Sequence, residues 1–97
     1  MNAFYLVGKV LEKPEVLTTN NGIKYAHLKL SVLKNSKDDD ETYEIFEVTL
    51  FRNLASDEYD INQLVAIQGR LQANNYEKEE NIYYNSKLIA NTITILE

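Results

Sequence analysis

A chain of 97 residues has room for one hydrophobic core and no second one, and a core that small gains from an oligomer that covers one of its faces. Cysteine is absent, which excludes disulfides, cysteine-ligated zinc, iron–sulfur clusters and thiol nucleophiles together and agrees with a reducing cytoplasm. The net charge of −5 counts against nucleic-acid binding by the surface as a whole, yet residues 1–36 hold five lysines against two acids while residues 37–60 hold two basic groups against nine acids, so a local basic groove is still available.

The first strand is predicted over Ala3–Val10, with Gly8 marking a bulge or a close backbone approach. Residues 1–8 lack the basic start and long apolar run of a signal peptide. No segment nears the roughly 20 apolar residues of a membrane span. A cytoplasmic protein without a membrane partner is expected. Pro14 marks an edge or bend. Asn20-Asn21-Gly22 is the strongest turn signal, because Asn-Gly accepts the positive φ values of a tight hairpin.

Lys24–Lys34 then alternates, with Leu28, Leu30 and Val32 facing a core and His27, Lys29, Ser31 and Leu33 facing away. The run Lys37-Asp38-Asp39-Asp40-Glu41 is too charged to pack and is predicted as a solvated hairpin loop. Tyr43–Phe51 divides into Phe46, Val48 and Leu50 on one side and Tyr43, Ile45, Glu47, Thr49 and Phe51 on the other. The second set carries more apolar surface than a face meant only for water. Asn53–Ile61 is the one helix candidate.

Leu64–Leu71 is the next strand, with a bend at Gly69. Tyr76, Tyr83 and Tyr84 bracket the polar loop Glu77–Asn81, and a last strand runs from about Lys87 to Leu96. This order predicts an all-β domain over residues 1–97, a five-stranded OB barrel with one short helix. Closing the barrel removes exposed strand edges.

No phosphate-cradling glycine loop, His-Glu-x-x-His helix or Gly-x-Ser-x-Gly elbow occurs. His27 is the only histidine, and the acids at 38–41 lack calcium-loop spacing. No catalytic residue, cofactor or metal site is therefore expected. The outward face of the central strands is the better candidate. Single-stranded nucleic acid is held by aromatic rings that stack on bases and by basic groups that meet phosphates. Phe51 and Tyr76 are the candidate rings, with Lys9, Lys29, Lys34 and Arg52 beside them. The same residues also fit subunit contacts or a covered core.

In register over nearly the whole chain, these segments resemble the bacterial single-stranded DNA-binding proteins. Met1–Val10 is similar to that family's opening strand, Lys13-Pro14-Glu15-Val16 to its proline turn and Asn20-Asn21-Gly22 to its first hairpin tip. Ala26–Val32, Glu47–Phe51 and Leu64–Leu71 resemble its following strands. The resemblance implies single-stranded DNA as ligand, no catalysis, and a homotetramer built as a dimer of dimers, or a homodimer, through first strands that pair at Ala3–Val7. It implies that Phe51, Tyr76 and Ile45 meet bases and that Lys9, Lys29, Lys34 and Arg52 meet phosphates, in replication, recombination or repair.

This chain departs from the family in four places. It has no tryptophan, where relatives often carry one at Ile45. Gln72-Ala73-Asn74-Asn75 is neutral where relatives carry arginine or lysine, which predicts weaker and less salt-sensitive binding. Asp38–Glu41 places acid where relatives grip the strand. The sequence ends at Glu97 directly after the last strand, so recruitment of partners by an acidic tail is not expected. The acidic loop and the neutral segment fit an alternative, an OB-fold adaptor whose outer face meets protein.

Overall fold

The computed structural model describes residues 1–34 and 42–97. Five long strands carry the fold: β1 (Phe4–Val10), β3 (Lys24–Leu33), β4 (Tyr43–Phe51), β5 (Leu64–Ala73) and β8 (Ser86–Ile95). Three short ones join them: β2 (Leu17–Thr18), β6 (Tyr76–Lys78) and β7 (Asn81–Tyr83). The sheet runs β2-β3-β4-β8-β5-β1, and β1 pairs again with β3, which closes the barrel. The β4–β8 pairing is parallel and the other pairings of this sheet are antiparallel. This is an OB barrel with one extra short strand.

Alternation in the sequence decides which side chains enter it. Leu28 and Leu30 of β3 meet Val48 and Leu50 of β4, and Val10, Val65 and Ile67 complete a fully or almost fully buried core. Each such side chain contributes about 1.5–3 kcal/mol by leaving water. Val32 and Phe46, predicted to face inward with them, are half-buried near one end of the barrel.

Both strand glycines sit where backbones crowd. A Cβ on Gly8 would lie 2.6 Å from the Ser31 carbonyl oxygen, so of the bulge or close backbone approach expected there the structure shows the close approach, to β3. Gly69 lies at a register shift between β5 and β8, where a Cβ would collide with the Ile89 carbonyl and the Phe4 ring. The bend expected at Gly69 is thus a β-bulge.

Two local expectations are corrected. The turn at Asn20–Gly22 has one positive φ, +83° at Gly22, rather than the two of a two-residue hairpin. Thr19 N–H donates to the Ile23 carbonyl and Gly22 N–H to that of Thr19, so a three-residue loop ends on a left-handed glycine. The helix expected over Asn53–Ile61 is only a 3₁₀ turn at Arg52–Leu54. A helical stripe would need apolar residues near 54, 58 and 61, and Glu58 occupies the middle place. The Ser56 hydroxyl instead accepts from Glu58 N–H, and Gln63 Oε1 accepts from Asp60 N–H. Leu54, Ala55 and Tyr59 still pack on the core, with the Tyr59 hydroxyl donating to the Leu54 carbonyl. The acidic run at 38–41 lies outside the described residues.

Candidate functional site

The outward row of β3 and β4 is fixed by their register. Tyr25 lies opposite Phe51, His27 opposite Thr49, Lys29 opposite Glu47, Ser31 opposite Ile45 and Leu33 opposite Tyr43. At the Phe51 end this row opens into a groove of about 320 Å³, lined among others by Tyr25, His27, Thr49, Phe51, Gln72 and Lys87. Phe51 keeps 39% of its surface exposed there. Tyr25 lies across from it on β3, an aromatic cross-strand position.

Directly beside it Arg52 adopts a left-handed φ of +59°, which turns the chain out of β4 at once. Arg52 and Lys24 line a second polar groove of about 480 Å³ with Gly22, Ile23, Asn53 and Ser56. Arg52, Lys24 and Lys87 form no ion pair among the described residues. Lys87 therefore shares a groove with Phe51, whereas Arg52 and Lys24 line a second groove at this end of the barrel.

Tyr76 lies on the ribbon that extends β5 and β8. Ala73 faces Ser86 and Tyr76 faces Tyr83, three residues further along each strand, and Asn74 N–H donates to the Asn85 carbonyl. With the register kept, alternation places Tyr76 and Tyr83 on the same face of the ribbon as Gln72 and Lys87. Tyr76 is 49% exposed, and one of its faces is stacked on Tyr83. Glu79 and Glu80 make the turn, both with positive φ, a type I′ geometry that favours Asn and Gly.

The other candidates are not equivalent. Ile45 is 68% exposed on the same face of β4 as Phe51. Lys29 is held by Glu12 at 3.7 Å and has Glu47 opposite it. Lys9 is exposed on β1 opposite Ser31, and Lys34 is exposed just beyond β3, its N–H donating to the Thr42 carbonyl. The structure thus gathers Phe51 and Arg52 at one end of the outward face. It directs Tyr76 to the groove side and leaves Lys9, Lys34 and Ile45 toward the other end.

Sequence reasoning missed Lys87, Tyr25 and Gln72 as groove residues. Tyr25 was within reach once the two core sets of β3 and β4 were matched, since that register puts it across from Phe51. Lys87 and Gln72 required the β5–β8 pairing. His27, outward-facing as its strand predicts, also lines the groove. Its Nδ1 lies 3.3 Å from Thr49 Oγ1 and 3.5 Å from Glu47 Oε1, and its ring meets Tyr25 edge-on. No cluster of three metal-ligating side chains occurs among the described residues.

A closed OB barrel with an aromatic, cation-flanked groove on its outer wall defines a binding module. A family model described as the single-strand binding protein family matches residues 1–96. The chain belongs to this family, which is defined by binding rather than by catalysis. It is 31% identical over 107 residues to single-stranded DNA-binding protein 1 of Staphylococcus aureus (strain Mu50), covering all of this chain and 66% of that protein. It is 30% identical over 102 residues to single-stranded DNA-binding protein B of Bacillus subtilis, covering 99% of this chain and 90% of that protein.

The fold is also that of the wild-type single-stranded DNA binding protein from Thermus aquaticus, with a TM-score of 0.84 at 24% identity over all of this chain and 50% of the other. The chain thus spans slightly under two thirds of the Staphylococcus protein and half of the Thermus one.

Proposed function

We propose that this chain binds single-stranded DNA, largely without regard to sequence, and serves replication, recombination or repair in the cytoplasm. The observation that carries this reading is the half-exposed Phe51 ring in a groove that Lys87 also lines, with Arg52 next to Phe51 in the chain. Stacking on a ring tolerates any base because every base has a π-face, while the cations meet phosphates. Tyr76 supplies a second ring from the ribbon. Membership in the family and the names of its Staphylococcus and Bacillus relatives support the same ligand. Residues 1–97 act as one binding domain in this reading.

Titration of poly-dT at low and moderate salt tests it. Micromolar or tighter binding that weakens with salt is expected. No binding at low salt would contradict it and favour the adaptor reading, which the exposed Leu33 and Ile45 at the far end of the outward face support.

We propose that the chain assembles through β1. Its outward residues Tyr5 and Val7 leave large apolar surfaces exposed beside Ala66 and Thr92. Pairing of this strand between two copies buries them, giving a homodimer or a homotetramer made of two such dimers. Sedimentation at micromolar concentration should show a dimer or tetramer, and a monomer alone would contradict it.

A further inference from the structure

We infer that the DNA path runs across the barrel from Phe51 through Lys87 to Tyr76, and that Glu47 bars it from continuing down β4 to Ile45. This inference rests on the reading of the groove as a single-strand site and specifies the route within it.

Ile45, Glu47, Thr49 and Phe51 alternate onto one face of β4. At about 3.4 Å per residue, Glu47 lies about 7 Å from Ile45 and about 14 Å from Phe51 along the strand. A chain of bases touching both apolar residues must carry its phosphates over the Glu47 carboxylate.

Among the described residues nothing neutralises that carboxylate fully. Lys29, directly opposite on β3, reaches instead to Glu12 at 3.7 Å. The remaining contact is His27, whose Nδ1 is 3.5 Å away. Around Lys29 the two acids outnumber the one permanent cation. Lys9 lies two strands from Ile45, across Ser31, at about 10 Å, too far to offset Glu47 at close range.

The opposite direction presents the reverse charge. Lys87 shares the groove of Phe51, and Arg52, next to Phe51 in the chain, lines a second groove with Lys24. Lys87 is cross-strand from Gln72 on β5 and shares the ribbon face of Tyr76. It lies where a phosphate would lie between a base stacked on Phe51 and another stacked on Tyr76. Lys87 is thus a phosphate-binding residue and Glu47 a residue that limits the length of strand engaged.

Three single variants and one double variant test this on labelled oligo-dT, with the full chain. Ile45→Ala should leave affinity within about twofold of the original. Glu47→Gln should tighten binding about two- to fivefold, the scale of one exposed charge interaction, and in that background Ile45→Ala should now weaken it. Lys87→Ala should weaken binding and make the slope of log affinity against log salt shallower by about 0.7, the loss of one phosphate contact on a single strand.

The route is overturned if Ile45→Ala alone weakens binding as much as Phe51→Ala, if Glu47→Gln fails to tighten it, or if Lys87→Ala keeps the original slope. Those outcomes leave the single-strand reading intact. Absence of binding by the unmodified chain would instead remove the function and the route together.

Discussion

The rings of Tyr76 and Tyr83 lie nearly parallel, 17° apart with centroids separated by 5.1 Å. A ring stacked on one side has one face left for a base, and its orientation is fixed before a ligand arrives. Preorganisation of this kind lowers the ordering cost of binding.

Tyr76→Ala is therefore expected to weaken oligo-dT binding by about 1–3 kcal/mol. Tyr83→Ala should weaken it less, by about 0.5–1.5 kcal/mol, the contribution of an aromatic pair. The double variant should fall short of the sum, because both changes empty the same stack. Anisotropy titrations of the four proteins check this, and strict additivity would contradict it.

The Glu79–Glu80 turn places two residues with side chains in the left-handed region, at about 1–2 kcal/mol each. The double substitution Glu79→Asn with Glu80→Gly supplies the residue types that this turn favours and should strengthen the ribbon. Slower amide exchange at Lys78, Asn81 and Tyr83 is the expected readout, and unchanged or faster exchange would contradict it. Global stability should change little, since β6 and β7 pair only with one another.

Gly69→Ala should destabilise the barrel by about 1–3 kcal/mol, because a Cβ there meets the Ile89 carbonyl and the Phe4 ring. Gly22→Ala meets nothing nearby, yet its φ of +83° should still cost about 1 kcal/mol. Urea midpoints report both, and a larger loss at Gly22 than at Gly69 would contradict the packing account.

Burial, and secondarily the nearby Glu58, raises the Tyr59 pKa above its ordinary value of 10.0. The neutral phenol is the favoured form in the fold, so the folded state keeps this proton at a pH where the unfolded chain loses it. The resulting contribution is fully present below about pH 10 and is lost as pH rises through the higher folded value. Tyr59→Phe should lose about 1 kcal/mol at pH 7 with the hydrogen bond to Leu54, and should show less alkaline destabilisation. Urea unfolding from pH 7 to 11 measures both effects.

Much of the barrel was legible because two-residue alternation is a local property. Leu28 and Leu30 against His27 and Lys29, and Val48 and Leu50 against Glu47 and Phe51, assign inside and outside before any pairing is known. Gly8 flagged a bulge or a close backbone approach, and Gly69 a bend, by lacking a side chain. The segment 53–61 misled because Leu54, Ala55 and Tyr59 reach the core from a loop held by Ser56 and Gln63 rather than from a helix.

The places of Phe51 on the outward face of β4 and of Arg52 at its end were readable from that strand alone. The engagement of Lys29 by Glu12 was not, since it depends on the residues just after β1 meeting β3 in space. For the same reason Lys87 and Tyr25 emerged only with the pairing of β5 with β8 and of β3 with β4.

The most direct measurement compares the unmodified chain with Phe51→Ala, using anisotropy of labelled oligo-dT at about 50 and 200 mM salt. We expect tight, salt-weakened binding by the first and a loss of about 1–3 kcal/mol in the second, with only a small loss of urea stability, on the order of the 0.2–1 kcal/mol of a cross-strand aromatic pair. Equal affinities for the two proteins would contradict the assignment of the Phe51 groove as the place where bases stack.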